Sequence, residues 1–357
     1  MVNNVSEDVA EFSPLVTIVI LNYNGAKYIQ RCLGAVLKIN YPNFDVIFVD
    51  NCSTDDSMSI CQEFSTKIKI IQTEKNVGFP SGNNIGARYA REQSKYLLFL
   101  NVDTEVTPSF LRELVKNLEL NSNIGAAQPK LLLDQDRNRI DSMGALLDII
   151  GTVHNVGGGE KDINYSYPIR VFYAKGAALL VRKTLFEKIN GFDDSFFLWR
   201  DEVDLCWRVQ LCGYIILAVP MAIVYHHGSA IINRSVPNLT MEFYFIRNNI
   251  RMLIKNYSSS NLLKYLPLFL VVYGVLTLHK MVTAKKPQYS VVYLKAVCWN
   301  LINLRETMSE RKKIQTYIRK VADQSLLGTV LFKSLFSLKS RIEIKIPKFE
   351  TRASEIE

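Results

Sequence analysis

The chain has 357 residues, 48% of them apolar and 22% charged, and a formal net charge of +9. An apolar share of this size supports a sizeable core and excludes global disorder, and six cysteines with no CxxC pair fit reduced, buried thiols in the cytoplasm better than a disulfide framework or a zinc site. The charge is uneven: residues 1–242 hold 23 Lys and Arg against 27 Asp and Glu, residues 243–357 hold 20 against 7.

Residues 1–14 are polar and acidic, unlike a secretory signal. Residues 15–21 (LVTIVIL) form a β-branched run between Pro14 and an Asn-Tyr-Asn-Gly turn, which reads as a buried strand. Helical spacing follows over about 26–39, then a second strand at 45–49. A helix over about 54–65, with Thr54 and Asp55 as caps, leads to a third strand at 68–71. A glycine-rich loop, a further helix and a fourth strand at 96–100 (YLLFL) complete the series. Strands alternating with helices at this spacing imply βαβ units and a parallel sheet, whose ligands bind at the carboxyl ends of strands. Asn22, Asp50 and Asn101-Val102-Asp103 follow strands directly and so converge on one rim.

From 124 to 230 the pattern is less regular. Strands are expected at 176–181, 214–219 and 222–225, and helices at 184–189 and 201–211, with a mobile loop at 157–159. In the last third, residues 265–278 (YLPLFLVVYGVLTL) carry no charge and are flanked by lysines. A membrane span needs about 20 apolar residues, so this shorter run reads as an interfacial segment or as a buried helix of a second lobe. The basic run beyond it favours an anionic lipid surface, and no nucleic-acid motif competes.

The acidic turn at Asn101 to Asp103 has the oxygen ligands that Mg2+ or Mn2+ takes when bound between carboxylates and substrate phosphates; a plain capping turn is equally consistent. Asp50, with Ser53 nearby, is placed to accept a pyrimidine ring N–H while hydroxyls contact ribose. The loop NVGFPSGNNIG allows close backbone approach to phosphate or sugar oxygens without matching a Rossmann or Walker fingerprint. Asp201, Glu202 and Asp204 crowd the start of a helix behind the aromatic residues Phe192, Phe196, Phe197 and Trp199. Such crowding raises a carboxyl pKa, which suits a general base, although an acidic helix cap in solvent has the same pattern. His226 ends a strand and is either a packing residue or an additional metal ligand.

The ordered segments VTIVILNYNG, VIFVDNCSTDDS, NVGFPSGNNIGARYA, LFLNVDTEV, KGAALLVRKTLFEKINGFDDSFFLWRDEVDLCWRVQLCGY and YHHGSA resemble the family 2 inverting glycosyltransferases, and within them the rhamnosyltransferase-like sub-group. The resemblance covers about residues 15–250. It implies an α/β GT-A fold with a mostly parallel sheet over 15–240, divided into a nucleotide-binding half (15–105) and an acceptor-binding half (106–240). Residues 241–357 would form a basic helical, membrane-associating region.

By position, the resemblance assigns Asn22, Asn24, Asp50, Ser53, Asn76, Gly78, Phe79, Asn83 and Asn101 to the nucleotide sugar. It assigns Asp103, Asn101 and His226 to a divalent metal, Mg2+ or Mn2+, and Trp199, Asp204 and Arg208 to the acceptor. Asn101 stands where the family has the first Asp of its DxD motif, which leaves Asp103 the principal ligand. The order of the family's Glu-Asp pair is exchanged here, so that Glu202 is the base by position, Asp201 the fallback, and Asp204 a helper. Implied partners are a dTDP- or UDP-sugar donor such as dTDP-rhamnose, a glycan or lipid-linked acceptor, and the inner face of the cell membrane, with an oligomer compatible and no nucleic acid. Two other readings are a sugar-phosphate nucleotidylyltransferase, whose basic first loop is replaced here by NYNGAKY, and a non-catalytic sugar-nucleotide-binding or assembly subunit.

Overall fold

The β-branched run after Pro14 forms β1 (Val16–Asn22), every residue of which is buried. Only a strand covered on both faces can be apolar throughout, which is the signature of a parallel sheet. α1 (Ala26–Val36), β2 (Phe44–Asp50), α2 (Ser57–Gln62), β3 (Lys69–Gln72), α3 (Gly78–Arg88) and β4 (Tyr96–Asn101) follow in strict alternation. The chain is described here by a computed structural model, covering residues 13–163, 165–228, 238–283, 285–326 and 330–331. The expected polar extension (1–14) lies outside the described residues except for 13 and 14. The end of the YHHGSA motif and the basic tail beyond 326, except for 330 and 331, lie outside them as well.

β2 and β4 both pair with β1 in parallel and β3 pairs with β2, in a register that sets Asn22 beside Asp50 and Leu21 beside Asn101. The three strand ends thus share one rim. Strand alternation divides the interior: Val16, Ile18 and Ile20 pack with α1, while Val19 and Leu21 face a second cluster on the opposite side. On that second side α3 presses close to the sheet, and a Cβ at Gly86 would stand 2.3 Å from Val19 Cγ1.

The second half adds β5 (Thr104–Val106), α4 (Phe110–Leu120), β6 (Ile124–Leu133), β7 (Ile140–Ser142), β8 (Ala145–Asp148), β9 (Val153–Asn155), β10 (Ile169–Val171), β11 (Ala178–Arg182), α5 (Lys183–Lys188), α6 (Asp201–Leu211) and β12 (Ile215–His226). The main sheet runs β10-β12-β6-β11-β4-β1-β2-β3, with β11 antiparallel between β4 and β6. This is the expected α/β architecture with a mostly parallel sheet.

Three local expectations change. The strands expected at 214–219 and 222–225 are one strand, β12, whose register shifts between Val219 and Ile223 around Pro220. β6 was not foreseen, because its interior Gly125, Ala126, Ala127, Gln128, Pro129 and Lys130 are poor strand formers; it is extended because it is buried between two strands. Helix α2 is shorter than 54–65. Thr54 donates its amide to Asn24 instead of capping, and Asp55 accepts the amides of both Ala26 and Ser57, serving the starts of α1 and α2 together.

Four helices follow: α7 (Asn238–Asn256), α8 (Ser259–Thr283), α9 (Gln288–Ile302) and α10 (Leu304–Lys313). A short π-helical turn (Ile314–Ile318) and α11 (Asp323–Leu326) come next, and β13 (Val330–Leu331) pairs with β8 in a small separate sheet. α8 has 25 residues, long enough and apolar enough to cross a membrane by length and composition, where the uncharged run alone suggested a shorter element. The expected boundary at 240–241 falls inside α7, whose Ile246, Ile250, Met252 and Leu253 belong to the same core cluster as Val203, Cys206 and Trp207 of α6.

Buried charge fastens this junction. Lys255 of α7 donates to Asp193 (2.5 Å) and to Asp204 of α6 (3.0 Å), Arg251 donates to Asp193 (3.0 Å), and Asn256 and Arg208 complete the shell around Asp204. Burial alone would raise the Asp193 carboxyl, but Lys255 and Arg251 overcome it and hold the group far below the usual carboxylate range. Removing one partner from such a cluster leaves an uncompensated buried charge. Lys255→Met is expected to lower the unfolding free energy by about 3 kcal/mol in urea denaturation followed by circular dichroism. An unchanged midpoint would mean that this cluster does not anchor α7.

Candidate active site

A cleft of about 520 Å³ opens at the carboxyl ends of β1, β2 and β4. Asn24, Asn76, Gly78, Phe79 and Asn101 line one side of it. Asp103 and His226 contribute to the wall, as do Trp199, Asp201 and Glu202.

The remaining sequence-selected residues stand elsewhere. Asn22 and Asp50 are fully buried behind the cleft, where Asn22 Nδ2 donates to Asp50 Oδ1 (2.9 Å) and Ser53 Oγ (3.0 Å). Ser53 returns its amide to Asp50 and accepts the amide of Asn24, so these groups staple two rim loops together. Asn83 is buried in α3 and donates to the Phe79 carbonyl. Asp204 and Arg208, chosen for the acceptor, do not reach the cleft; they belong to the buried ion cluster beneath α7.

The glycine-rich loop owes its shape to Asn51. Its Oδ1 accepts the Val77 amide and its Nδ2 donates to Asn76 (both 2.9 Å). Gly78 has φ +85°, and a Cβ there would lie 2.5 Å from the Phe197 carbonyl oxygen, so glycine is required for conformation and for space. The next residue, Phe79, donates its amide to that same carbonyl (2.8 Å).

Phe197 opens a turn in which three non-glycine residues take positive φ: Phe197 (61°), Trp199 (62°) and Arg200 (71°). The fully buried Asn248 of α7 supports it, donating to the carbonyls of Phe196 (3.0 Å), Leu198 (2.7 Å) and Trp199 (2.8 Å). Arg247 adds bonds to the carbonyls of Ser195 and Phe196. The turn delivers the start of α6, and with it Asp201 and Glu202, to the cleft.

These two acids differ in environment. Asp201 is 1% exposed and its Oδ2 has no hydrogen-bond partner in the described structure. Burial first, and then the Glu202 charge beside it, raise its carboxyl well above the usual range. Both causes push Asp201 toward its neutral form, and half-buried Glu202 stands beside it at the cleft wall.

On the metal side, His226 Nε2 lies 3.6 Å from Asp103 Oδ1, and its Nδ1 lies 2.7 Å from Asp141 Oδ2. Burial would lower the His226 pKa, but Asp103 and Asp141 outweigh it and raise it. Burial likewise pushes Asp141 up, but the His226 hydrogen bond and the Lys175 charge bring it down to about 2. Both ring nitrogens face carboxylates; with Nδ1–H given to Asp141, loss of the Nε2 proton would leave that nitrogen to bind an ion beside Asp103, the orientation that a carboxylate imposes on a metal-binding imidazole. Asp141 escaped sequence reasoning because IDSMG matches no motif, and Lys175, although it opens the quoted KGAALLV segment, was given no role there. Among the described residues no group of three His, Cys, Asp or Glu is arranged to hold a metal. Asp103 and His226 fit a divalent ion as a partial donor set, one that takes its remaining ligands from substrate oxygens and water. A larger cavity of about 690 Å³ lies against α10, but Asp193, Arg251 and Lys255 on its wall already satisfy one another.

Residues 17–190 match the family model described as glycosyl transferase family 2. The low-salt glycan biosynthesis hexosyltransferase Agl10 of Haloferax volcanii is 25% identical over 199 residues, 54% of this chain and 61% of that protein, so the match spans less than two thirds of that relative. The N-acetylglucosaminyl-diphospho-decaprenol L-rhamnosyltransferase of Mycobacterium tuberculosis is 24% identical over 231 residues, 59% of this chain and 75% of that protein. Among solved structures, GalNAc-T7 with UDP, GalNAc and Mn2+ superposes with a TM-score of 0.56 at 16% identity, over 70% of this chain and 49% of that one. That likeness shows the GT-A fold alone.

The Asp201 shift has a sign. A carboxyl whose pKa is raised on folding keeps a proton that the unfolded chain releases above about pH 4, so it costs stability as pH rises beyond that point. Asp201→Asn is expected to flatten the decline of stability as pH rises above about pH 4, read by urea denaturation across pH. A variant with the wild-type slope would show that Asp201 does not hold the proton.

Proposed function

Residues 17–190 form a glycosyl transferase family 2 domain, and on that premise we propose that the chain is an inverting, metal-assisted glycosyltransferase. In this reading it moves a sugar from a nucleotide-diphosphate donor to an acceptor hydroxyl. The observation that carries it is the presence in one cleft of a carboxylate–imidazole pair, Asp103 and His226, and two acids in unlike environments, Asp201 and Glu202.

The nucleotide lies along the rim formed by Asn24, the 76–79 loop and Asn101. Trp199 offers an aromatic face to the acceptor sugar. Glu202 accepts the proton of the acceptor hydroxyl as that oxygen bonds to the anomeric carbon. The bond from that carbon to the diphosphate oxygen breaks on the opposite side, which inverts the centre. Asp201, buried with its carboxyl held above the usual range, is the weaker candidate for that role. Asp103 and His226 would hold a Mg2+ or Mn2+ ion, whose charge offsets that of the departing diphosphate. Asp141 keeps the His226 ring in its binding orientation.

The finer reading is a dTDP- or UDP-sugar donor such as dTDP-rhamnose and a lipid-linked glycan acceptor; the mycobacterial relative's name, a rhamnosyltransferase acting on a diphospho-decaprenol-linked sugar, supports the rhamnosyl and lipid-linked parts of it. The enzyme would act in the cytoplasm, at the inner face of the membrane that carries such an acceptor. GalNAc-T7, a protein of like fold, is solved with UDP and Mn2+, in keeping with a nucleotide-sugar donor and a divalent ion for this reading.

Glu202→Gln is expected to lower transfer by about a thousandfold, in line with loss of a general base, while donor binding persists in a thermal-shift assay. Retained transfer in that variant, lost instead in Asp201→Asn, would move the base by one residue. Chelation of divalent ions is expected to suppress transfer and to be reversed by Mn2+ or Mg2+, whereas Asp103→Ala should not be rescued at the same ion concentration. Full activity in the chelator would remove the role given to Asp103.

A further inference from the structure

α8 has two unlike faces. Its inner face is packed onto the protein: Phe269 and Thr277 are buried, Tyr273 meets Phe245 of α7 at 5.4 Å between ring centres, and Tyr265 meets Tyr257 at 5.3 Å. α9 lies against it, with the Tyr293 hydroxyl donating to the Leu270 carbonyl (2.7 Å). The outer face carries Leu263, Val271, Val275, Leu278 and Val282, each more than half exposed. Their three-, four- and eight-residue spacings put them on one line along the helix axis. α9 continues the pattern with Val291, Leu294 and Leu301, each at least half exposed. Exposed apolar side chains in such a row mark a surface that something covers.

The charge around this surface identifies the cover. From residue 259 to 305 the sequence has five Lys and one Arg and no Asp or Glu. Lys264, Lys285, Lys286, Lys295 and Arg305 are exposed. Apolar rows bordered by cations and free of carboxylates match the acyl boundary and phosphate headgroups of an anionic bilayer. Crossing the bilayer does not fit. A spanning α8 would have to leave α7 and α9, which would uncover Phe269 and Tyr273 and break the Lys280–Glu242 bridge.

We propose that the outer faces of α8 and α9 insert from one side into the headgroup–acyl boundary of an anionic membrane, as a monotopic anchor. The proposal rests on the reading of a lipid-borne acceptor for its purpose, since it would keep the cleft at the surface where that acceptor lies.

The test is co-flotation of the full chain with phosphatidylcholine vesicles made with and without phosphatidylglycerol. Wild type is expected to float with the anionic vesicles and about tenfold or more less with neutral ones. Val271→Glu, Val275→Glu and Leu294→Glu, all on the exposed rows, should each cut the bound fraction by about tenfold while leaving the thermal-shift response to a UDP- or dTDP-sugar unchanged. Variants that float like wild type would overturn the proposal. So would resistance of the membrane-bound protein to alkaline carbonate extraction, which would mark a span. A wild-type dimer that ignores vesicles and is dissociated by Val271→Glu would assign the face to a second copy instead. Loss of the nucleotide-sugar response with flotation intact would retire the transferase reading and leave the anchor standing.

Discussion

The site depends on one costly piece of backbone. Residues 197, 199 and 200 hold left-handed conformations without being glycine, at a cost of order 1 kcal/mol or more each. The turn persists because the buried Asn248 carboxamide binds three of its carbonyls and Arg247 two, and because the Phe197 carbonyl also receives the Phe79 amide. The result is a junction of three segments: the glycine-rich loop, the entry to α6, and α7. The domain match ends at residue 190, before the acid pair, His226 and Asn248. The C-terminal helices are therefore part of the site's scaffold, through Asn248 and through the Asp193–Lys255–Asp204 cluster just below it.

Electrostatics divides the carboxylates of the cleft by environment. Asp201 is buried beside another acid, and both effects raise its carboxyl. Asp141 is also largely enclosed, but Lys175 and His226 stand against it, and it stays ionised. The first environment yields an acid pair with one reactive member. The second orients an imidazole toward Asp103. Neither effect follows from residue type, since both are aspartates for which burial raises the carboxyl; the neighbours decide the sign.

Much of the scaffold was legible in the sequence. The strands of the first hundred residues are there in the order and near the bounds that their apolar runs imply, because burial on both faces favours a continuous apolar run. α6 begins at Asp201 and ends at Leu211 as its pattern indicates. β6 was invisible for the converse reason: its alanines, proline and lysine carry no strand signal, and its extension comes from its neighbours. α8 outruns its uncharged core because helix length is set by packing and capping as well as by hydropathy.

By itself the sequence determined the alternating α/β order, the convergence of strand ends on one rim, and the chemistry gathered there, because these follow from local periodicity and from where turns must fall. Tertiary structure alone decided which of those residues face the cleft. Asn22, Asp50 and Ser53 turned inward to staple loops, Asp204 and Arg208 went to a buried ion cluster, Asp141 and Asn248 entered from segments with no motif, and Lys175 came from the first position of a motif that had assigned it no role. The physical reason is that periodicity reports which face of an element a side chain occupies. Whether that face meets a cleft or another element depends on partners up to a hundred residues away or more, as with the contact between Phe79 and Phe197.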